Sequence, residues 1–387
     1  MQGSHAEHSA GSDVVADLGS ESMRAVYRDL LRFGPRSRSE LTKRLGLSAP
    51  TVTRVTRDLL DRDRLHPLTA VVRPKGRPHE PLDIVENRGP RFIGVKVTAQ
   101  EVHAVVTTVR GNVLEELVIP LEDSSPDELV EAILTPVEAL LEAHPHVAGI
   151  GVSLGGLVAG RRTVVSAHLL GWQSPVELAA VLEARVQLPV VVENDLVAMI
   201  NGLHWFGIGR AYSSFVVLTI GAGVGFGTVI DGRVVEGRNH MAGLTGRLAV
   251  SHDAHGEPLA IRDVASTEAV VRAARARGVL AADEGIDELR ALVLAGDRAA
   301  REIAEDLARA VALAAGSLVA VIDPQAIVLG GENVDLVRAV FPIFEEALER
   351  ALARGQQGLV VRTLSGDFDE WARGAAVIGI QEFVGVP

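Results

Sequence analysis

The sequence predicts a small basic head, residues 20–91, followed by a two-lobed α/β body, residues 92–387. The head carries three capped helical patterns followed by short strand patterns. From residue 92 on, strand-like and helical segments alternate, which indicates an α/β fold. An approximate internal repeat in this part predicts two similar lobes. Residues 1–19 are rich in Ser, Gly, Ala and His without hydrophobic periodicity, and we expect them to form a disordered tail.

Length and composition exclude several classes of protein. The 387 residues, 47% of them hydrophobic, are enough for two or three domains with a sizeable core. The chain has no cysteine, which excludes a disulfide framework and thiolate sites for zinc or iron–sulfur clusters. No apolar run reaches the ~20 residues that cross a bilayer, and residues 1–19 lack the pattern of a secretory signal. We therefore expect a soluble, cytoplasmic protein.

The net charge of −12 is unevenly distributed along the chain. Residues 20–91 carry 16 Lys and Arg against 9 Asp and Glu, whereas the body carries 22 against 38. A basic head is attracted to a polyphosphate and an acidic body is repelled by it. A merely solvated basic face explains the charge of the head equally well, so charge alone does not decide between the two.

The head begins with two short helical patterns. Val26, Leu30 and Leu31 form an apolar stripe that continues to Phe33 and ends at Gly34-Pro35. Ser39 is then expected to cap a helix over Glu40–Leu45, which Gly46 ends as a C′ glycine.

A third helix and a pair of strands complete the head. Ser48 is the expected cap and Pro50 lies in the first turn, where a missing N–H has no cost. Val71-Val72 and Leu82–Ile84 are expected to be two strands joined by a cationic loop. This order is typical of a winged helix-turn-helix. It predicts DNA binding through Ser48, Thr51, Thr53, Arg54 and Arg57 of the helix and through Lys75 and Arg77 of the wing loop. A three-helix protein-interaction module is the alternative.

The internal repeat of the body consists of a strand, a turn, a strand, a tight hairpin and a further strand. The first copy begins at Phe92 and continues through Val102–Val109 to Val113-Leu114. The second copy begins at Phe215, about 120 residues later, and continues through Gly227–Ile230 to Val234-Val235. Two such lobes imply a cleft between them, which is where small ligands usually bind.

Two motifs of the body carry chemistry. Gly221, Gly223 and Gly225 form a glycine-rich run whose N–H groups suit a phosphate, although a hairpin without a ligand reads the same way. Asn194 and Asp195 follow an apolar strand, at the end that faces the cleft. Asp195 could act as a general base that removes the proton of a ligand hydroxyl, and Asn194 could bind a second hydroxyl of the ligand. Asp195 also suits a helix N-cap, the slightly favoured interpretation.

At this point the sequence resembles the ROK family, named for repressors, open reading frames and kinases. The resemblance spans about residues 22–387 and rests on Val192–Asp195, Gly221–Gly227 with Asp231-Gly232, Asp323–Gly331, Leu169–Trp172 and Arg373–Ala376. It implies an actin-like, sugar-kinase fold. We expect one lobe over about 92–195 with a C-terminal helix at 370–387, and the other over 196–369. Family members with a winged helix are typically sugar-responsive transcription regulators, and the shorter ones are sugar kinases.

The chain departs from the kinase pattern after its first strand. The family's Asp-x-Gly-Gly-Thr phosphate loop is replaced by Lys96-Val97-Thr98-Ala99-Gln100. Lys96 would repel magnesium, and the bulky side chains prevent close approach of the backbone to phosphate. The resemblance places the catalytic base at Asp195, which we therefore regard as vestigial. We predict that the protein has no catalytic residues and is not an enzyme.

The sugar-contacting motif has changed as well. Ala-Gly-Glu-x-Gly-His of the family appears as Ala242–Arg247, with Leu244 and Arg247 in place of Glu and His. The family's structural zinc site is absent with its ligands. His252, Asp253 and His255 could replace it but read better as surface residues, so we expect neither a metal nor another cofactor. Of the family's sugar contacts, Gly156, Asn194 and Asp195 remain. Arg247 favours an anionic ligand, such as a sugar phosphate or sugar acid, or an internal salt bridge.

These observations predict a sequence-specific transcription regulator, acting as a repressor of carbohydrate-related genes. We expect it to form a homodimer, or a higher homo-oligomer, that binds a palindromic DNA operator. Its degenerate kinase body would sense a small-molecule effector, either a sugar or a sugar derivative. One alternative is an ATP-dependent hexose kinase with an appended head. Another is a regulator that has lost effector binding and responds to its own concentration or to a protein partner.

Overall fold

The computed structural model describes residues 18–69, 80–356, 358–365 and 369–386. The chain divides into a first unit, Met1–Gly207 with Asp369–Pro387, and a second unit, Ile208–Phe368. The division after Gly207 differs from the expected lobe boundary near residue 196. The helix Asp195–Trp205 stays with the first unit because it packs against the C-terminal helix.

The head contains three helices and a two-stranded antiparallel sheet: α1 (Glu21–Phe33), α2 (Arg38–Leu45), α3 (Ala49–Asp61), β1 (Leu65–Pro67) and β2 (Leu82–Ile84). Helix α2 begins two residues earlier than predicted because Ser37, and not Ser39, is its cap. Ser37 Oγ accepts the N–H of Glu40 at 3.3 Å, and the Glu40 carboxylate accepts the N–H of Ser37 at 2.9 Å. Ser48 caps α3, with Pro50 in the first turn, as predicted.

The strand observed beside β2 lies nearer the start of the chain than the predicted strand at Val71-Val72. It is β1, which brings Leu65 opposite Ile84, both of them buried in the head. Alternation along these short strands thus sends Leu65 of β1, and Leu82 and Ile84 of β2, inward. Val71-Val72, Lys75 and Arg77 lie outside the described residues.

The first lobe is a five-stranded sheet of order β5-β4-β3-β6-β9 with helices on both faces. Its elements are β3 (Arg91–Val97), β4 (Glu101–Thr108), β5 (Val113–Pro120), α4 (Pro126–Ala143), β6 (Val147–Leu154), the hairpin β7 (Leu157–Ala159) and β8 (Thr163–Ser166), α5 (Leu178–Val186), β9 (Val190–Asn194), α6 (Asp195–Trp205) and α13 (Asp369–Phe383). Alternate residues of β3 enter two cores. Ile93 and Val95 pack with α4 and α5, whereas Phe92 packs with α13.

Glycines allow α13 to lie directly on the backbone of the sheet. A Cβ on Gly94 of β3 would overlap the carbonyl oxygen of Ala372, and one on Gly151 of β6 would overlap that of Ala375. Helix α6 approaches α13 in the same way, because Gly202 faces Gly374. These contacts leave no room for side chains, and they hold α13 against β3 and β6 and hold α6 against α13.

The head shares one hydrophobic core with the first lobe. This core combines head residues with residues of β3, α6 and α13, namely Leu30, Leu31, Leu82, Ile84, Phe92, Trp205, Val377, Ile380 and Phe383 among others. The rings of Phe92 and Phe383 meet edge to face at 5.4 Å. The head is therefore packed against the first lobe rather than tethered to it.

The second unit repeats the strand pattern of the first. Its sheet has the order β12-β11-β10-β15-β16, and its elements are β10 (Phe215–Ile220), β11 (Val224–Ile230), β12 (Arg233–Val234), the hairpin β13 (Ala249–His252) and β14 (Pro258–Ala260), α7 (Ile261–Ala265), α8 (Thr267–Ala276), α9 (Ile286–Leu294), α10 (Arg298–Ile322), β15 (Ala326–Gly330), α11 (Val334–Ala339), α12 (Phe341–Ala351) and β16 (Val360–Thr363). The predicted duplication of three antiparallel strands is confirmed. Among the helices that the structure describes, none has the length and apolar character needed to span a membrane.

Candidate functional site

Helix α3 presents a polar face away from the core of the head. Val52, Val55 and Leu59 are buried, whereas Thr53, Arg54 and Arg57 are exposed. Ser48 is exposed and Thr51 is half-buried, and their hydroxyls are 2.8 Å apart. Arg54 lies 3.6 Å from Asp58, a solvent-exposed pair that contributes little stability, and Arg57 forms no ion pair with any residue that the structure describes. Both guanidinium groups are therefore available to a partner.

In the part of the chain that the structure describes, polar side chains fasten the head to the first lobe at three places. Arg28 of α1 donates to the carbonyl of Gly385, just after α13, at 2.9 Å. Arg110, in the β4–β5 turn, forms ion pairs with Asp83 of β2 and with Glu86. The third contact joins α1 to the last turn of α6: the guanidinium of Arg32 lies 3.1 Å from His204 Nε2 and 5.1 Å from the ring centre of Trp205.

His204 predicts a specific acid sensitivity. Burial, and then the charge of Arg32, lower the pKa of His204 from 6.5 to about 4. As the pH falls from 6.5 to 4, the unfolded chain takes up a proton at this site that the folded chain does not. The free energy of unfolding is therefore highest above pH 6.5. Between pH 6.5 and pH 4 this site lowers it by about 3 kcal/mol.

We expect His204→Gln to abolish this part of the pH dependence, measured by urea unfolding at pH 7 and pH 4. His66→Gln, which changes an exposed histidine of the head, is the matched control and should follow the wild type. Equal slopes against pH for the wild type and His204→Gln would contradict the assignment.

Gly156, Asn194 and Asp195 come together at the carboxyl end of β9. Asn194 is the N-cap of α6, not Asp195 as the sequence slightly favoured: its Oδ1 accepts the N–H of Leu196 at 3.0 Å and that of Val197 at 3.3 Å. Asn194 Nδ2 donates to the carbonyl of Gly156 at 2.8 Å. Both the oxygen and the nitrogen of the Asn194 side-chain amide are thus hydrogen-bonded, because β9 ends and α6 begins at this residue.

Asp195 is held by an ion pair with Lys96. The Lys96 ammonium donates to Asp195 Oδ2, and Oδ1 accepts the N–H of Leu196 at 2.8 Å. The two side chains are only 6% and 18% exposed, and the ammonium also lies 5.3 Å from the ring centre of Trp371. The positive charge of Lys96 compensates the negative charge of the Asp195 carboxylate. A general base needs a carboxylate that is free to accept a proton, and this ion pair opposes that role. Trp371 had no sequence signal, since it lies far along the chain.

The glycine-rich run is shorter as a loop than the sequence predicted. Gly221 and Gly223 lie in the turn between β10 and β11, whereas Gly225 pairs with Thr219 inside the hairpin. The prediction that Gly225 belongs to the loop is wrong, because antiparallel pairing extends to Val224. Glu332, which follows β15, was not predicted here, yet its carboxylate lies against Gly221.

Arg247 lies in the second unit and is exposed. It forms no ion pair with the residues described, so they provide no partner for the internal salt bridge considered as an alternative. His252, Asp253 and His255 are exposed as well, and the described part of the chain contains no group of three His, Cys, Asp or Glu that could hold a metal ion.

The chain is similar to proteins of two kinds. It is 31% identical over 284 residues to a glucokinase of Streptomyces coelicolor, covering 68% of this chain and 88% of the relative. It is 24% identical over 362 residues to the DNA-binding transcriptional dual regulator NagC of Escherichia coli, covering 87% and 86%. A solved ROK family transcriptional regulator, a homologue of the E. coli MLC protein, superposes with a TM-score of 0.80 at 23% identity over 95% of this chain and 97% of that one.

The family profile agrees with these relatives and with the repeated strand pattern of the two units. The profile described as ROK family matches residues 92–382, most of the chain. The actin-like, sugar-kinase fold expected from the sequence is thereby confirmed. The chain belongs to the ROK family.

Proposed function

We propose that the protein is a sequence-specific DNA-binding transcription regulator. The observation that carries the proposal is helix α3, which is capped, packed through one face, and free to present Thr53, Arg54 and Arg57 on the other. Arginine recognises guanine edges with two hydrogen bonds, and hydroxyls such as those of Ser48 and Thr51 suit phosphates. The similarity to NagC extends over head and body together, which supports this function for the whole chain.

The body acts as a sensor with a degenerate kinase site. A sugar kinase is the second candidate, favoured by the similarity to glucokinase. The ion pair between Lys96 and Asp195 opposes it, because the carboxylate that would accept a hydroxyl proton is already bound to an ammonium. We expect no sugar-dependent ATP consumption across a panel of hexoses. Turnover that disappears in Asp195→Asn would establish the kinase instead.

The effector would bind where Gly156, Asn194 and Asp195 converge. A sugar offers hydroxyls to these groups. In the second unit, Arg247 suits the phosphate or carboxylate of an anionic ligand. Ligand binding at Asn194 or Asp195 acts on the first turn of α6, whose last turn holds Arg32 of the head. The effector would thus change the position of the head by binding its two arrangements with different affinity.

Assembly into a homodimer would present two α3 helices to a palindromic operator. Repression of carbohydrate-related genes follows if the operator overlaps a promoter. When the effector is abundant, the regulator then dissociates from the operator or binds it with a different affinity.

The test is an in-vitro selection from fragmented host DNA, with sequencing of the retained fragments. We expect the wild type to enrich a palindromic motif and Arg54→Ala/Arg57→Ala to lose it, with affinity for the motif reduced about 100-fold or more. Arg298→Ala/Arg350→Ala removes two exposed arginines from the second unit and is the matched control for charge. Equal binding of the selected motif and of random DNA at physiological salt would refute the proposal.

A further inference from the structure

The glycine turn of the second unit is covered by a carboxylate of the same unit. A Cβ on Gly221 would overlap Oε2 of Glu332, so the carboxylate rests directly on the backbone of the turn. By contrast, a Cβ on Gly223 would meet nothing within 4 Å. The absence of a side chain at position 221 thus makes room for the carboxylate of Glu332.

The backbone of Glu332 is fixed on both sides of the residue. The N–H of Asn333 donates to the carbonyl of Ile220 at 3.0 Å, and Asn333 Nδ2 donates to Thr267 Oγ1 at 2.8 Å. Arg290 Nη2 donates to the carbonyl of Glu332 at 3.1 Å. Gly331, with φ +92°, packs on the backbone of Ile220. The carboxylate therefore originates from a rigid turn next to the loop.

This arrangement opposes the binding of phosphate. A glycine loop binds phosphate when its N–H groups point at the anion and no negative charge lies nearby. Here the N–H of Gly221 already donates to the carbonyl of Gly223 at 3.0 Å, and the carboxylate lies beside it. A phosphate group at this turn would face both a lost donor and a like charge at short range.

We propose that Glu332 closes the glycine loop to nucleotide phosphates. It is a specificity-determining residue: its charge excludes polyphosphate ligands such as ATP from the second unit. The body would then recognise its effector without a bound nucleotide. This inference does not depend on DNA binding, so it stands or falls separately from the function proposed above.

The test is calorimetric titration of the full chain with ATP, AMP and adenosine. Glu332→Gln keeps the size of the side chain and removes its charge, whereas Glu332→Ala also removes its bulk. Glu345→Gln, an exposed glutamate on α12, is the matched control. We expect Glu332→Gln to gain affinity for ATP by about tenfold or more, with a smaller gain for AMP and none for adenosine. The wild type and Glu345→Gln should not differ.

Three results would overturn the proposal. One is ATP binding by the wild type as tight as that of Glu332→Gln. Another is a failure of both position-332 variants, shown by circular dichroism to be folded, to gain affinity for ATP. A gain of equal size for ATP and adenosine would also reject it, because the effect would then be one of bulk and not of charge.

Discussion

Gly151→Ala is expected to lower the free energy of unfolding by about 3 kcal/mol. The added Cβ would overlap the carbonyl oxygen of Ala375, which is backbone and cannot rotate away. Helix α13 must then move off the sheet and lose its contacts with β3 and β6. Urea unfolding followed by circular dichroism measures the change.

The matched control lies two residues earlier in the same strand. A Cβ on Gly149 would make only ordinary contacts, the shortest at 3.6 Å with the carbonyl of Pro189. Gly149→Ala should therefore change the free energy of unfolding by well under ~1 kcal/mol. Similar losses in both variants would show that intrinsic strand propensity, and not the packing of α13, decides the outcome. Amide exchange in α1 should accelerate in Gly151→Ala alone, because α13 also supports the head.

Breaking the ion pair between Lys96 and Asp195 is expected to have the second large effect on the free energy of unfolding. Asp195→Asn leaves the Lys96 ammonium, 6% exposed, without its counter-charge, and we expect a loss of about 3 kcal/mol in free energy of unfolding. Lys96→Met leaves the carboxylate of Asp195 unpaired but closer to solvent, and the loss should be smaller, about 2 kcal/mol. The double variant Lys96→Met/Asp195→Asn should recover part of the loss, since neither charge remains.

Thermodynamic coupling between these substitutions is the decisive quantity. Effects of the single substitutions that add to that of the double variant within ~0.5 kcal/mol would mean that the two groups do not interact. Arg162→Met/Glu183→Gln, which removes an ion pair on the exposed side of the same lobe, is the control and should show a coupling below ~1 kcal/mol.

Local signals made much of the fold predictable. Ser48 and Pro50 define the start of α3 because capping and the fixed φ of proline act within one turn. The duplicated strands could be read because apolar runs bounded by turns persist in both units. The misplaced cap of α2 had a usable signal as well: Ser37 and Glu40 have the spacing of a capping box, whereas Ser39 has no such partner.

The remaining features depend on contacts between distant parts of the chain. Lys96 and Asp195 are 99 residues apart, so the sequence showed a lost aspartate but not the ion pair that replaced it. The contact of Glu332 with Gly221 likewise arises only when β15 pairs beside β10. Periodicity shows that a residue is buried or exposed, but it does not show which distant residue it meets.

The shared core of the head and the first lobe bears on how the chain is made. Arg28 of α1 meets the carbonyl of Val384 across 356 residues of sequence, and Phe383 packs into the core that contains Leu30 and Leu31. During translation the head emerges well before α13, the helix that completes its core. The nascent head must therefore wait, with part of its apolar surface uncovered, until α13 has left the ribosome. The hydrophobic core beneath α3 is thus complete only once α13 has been translated.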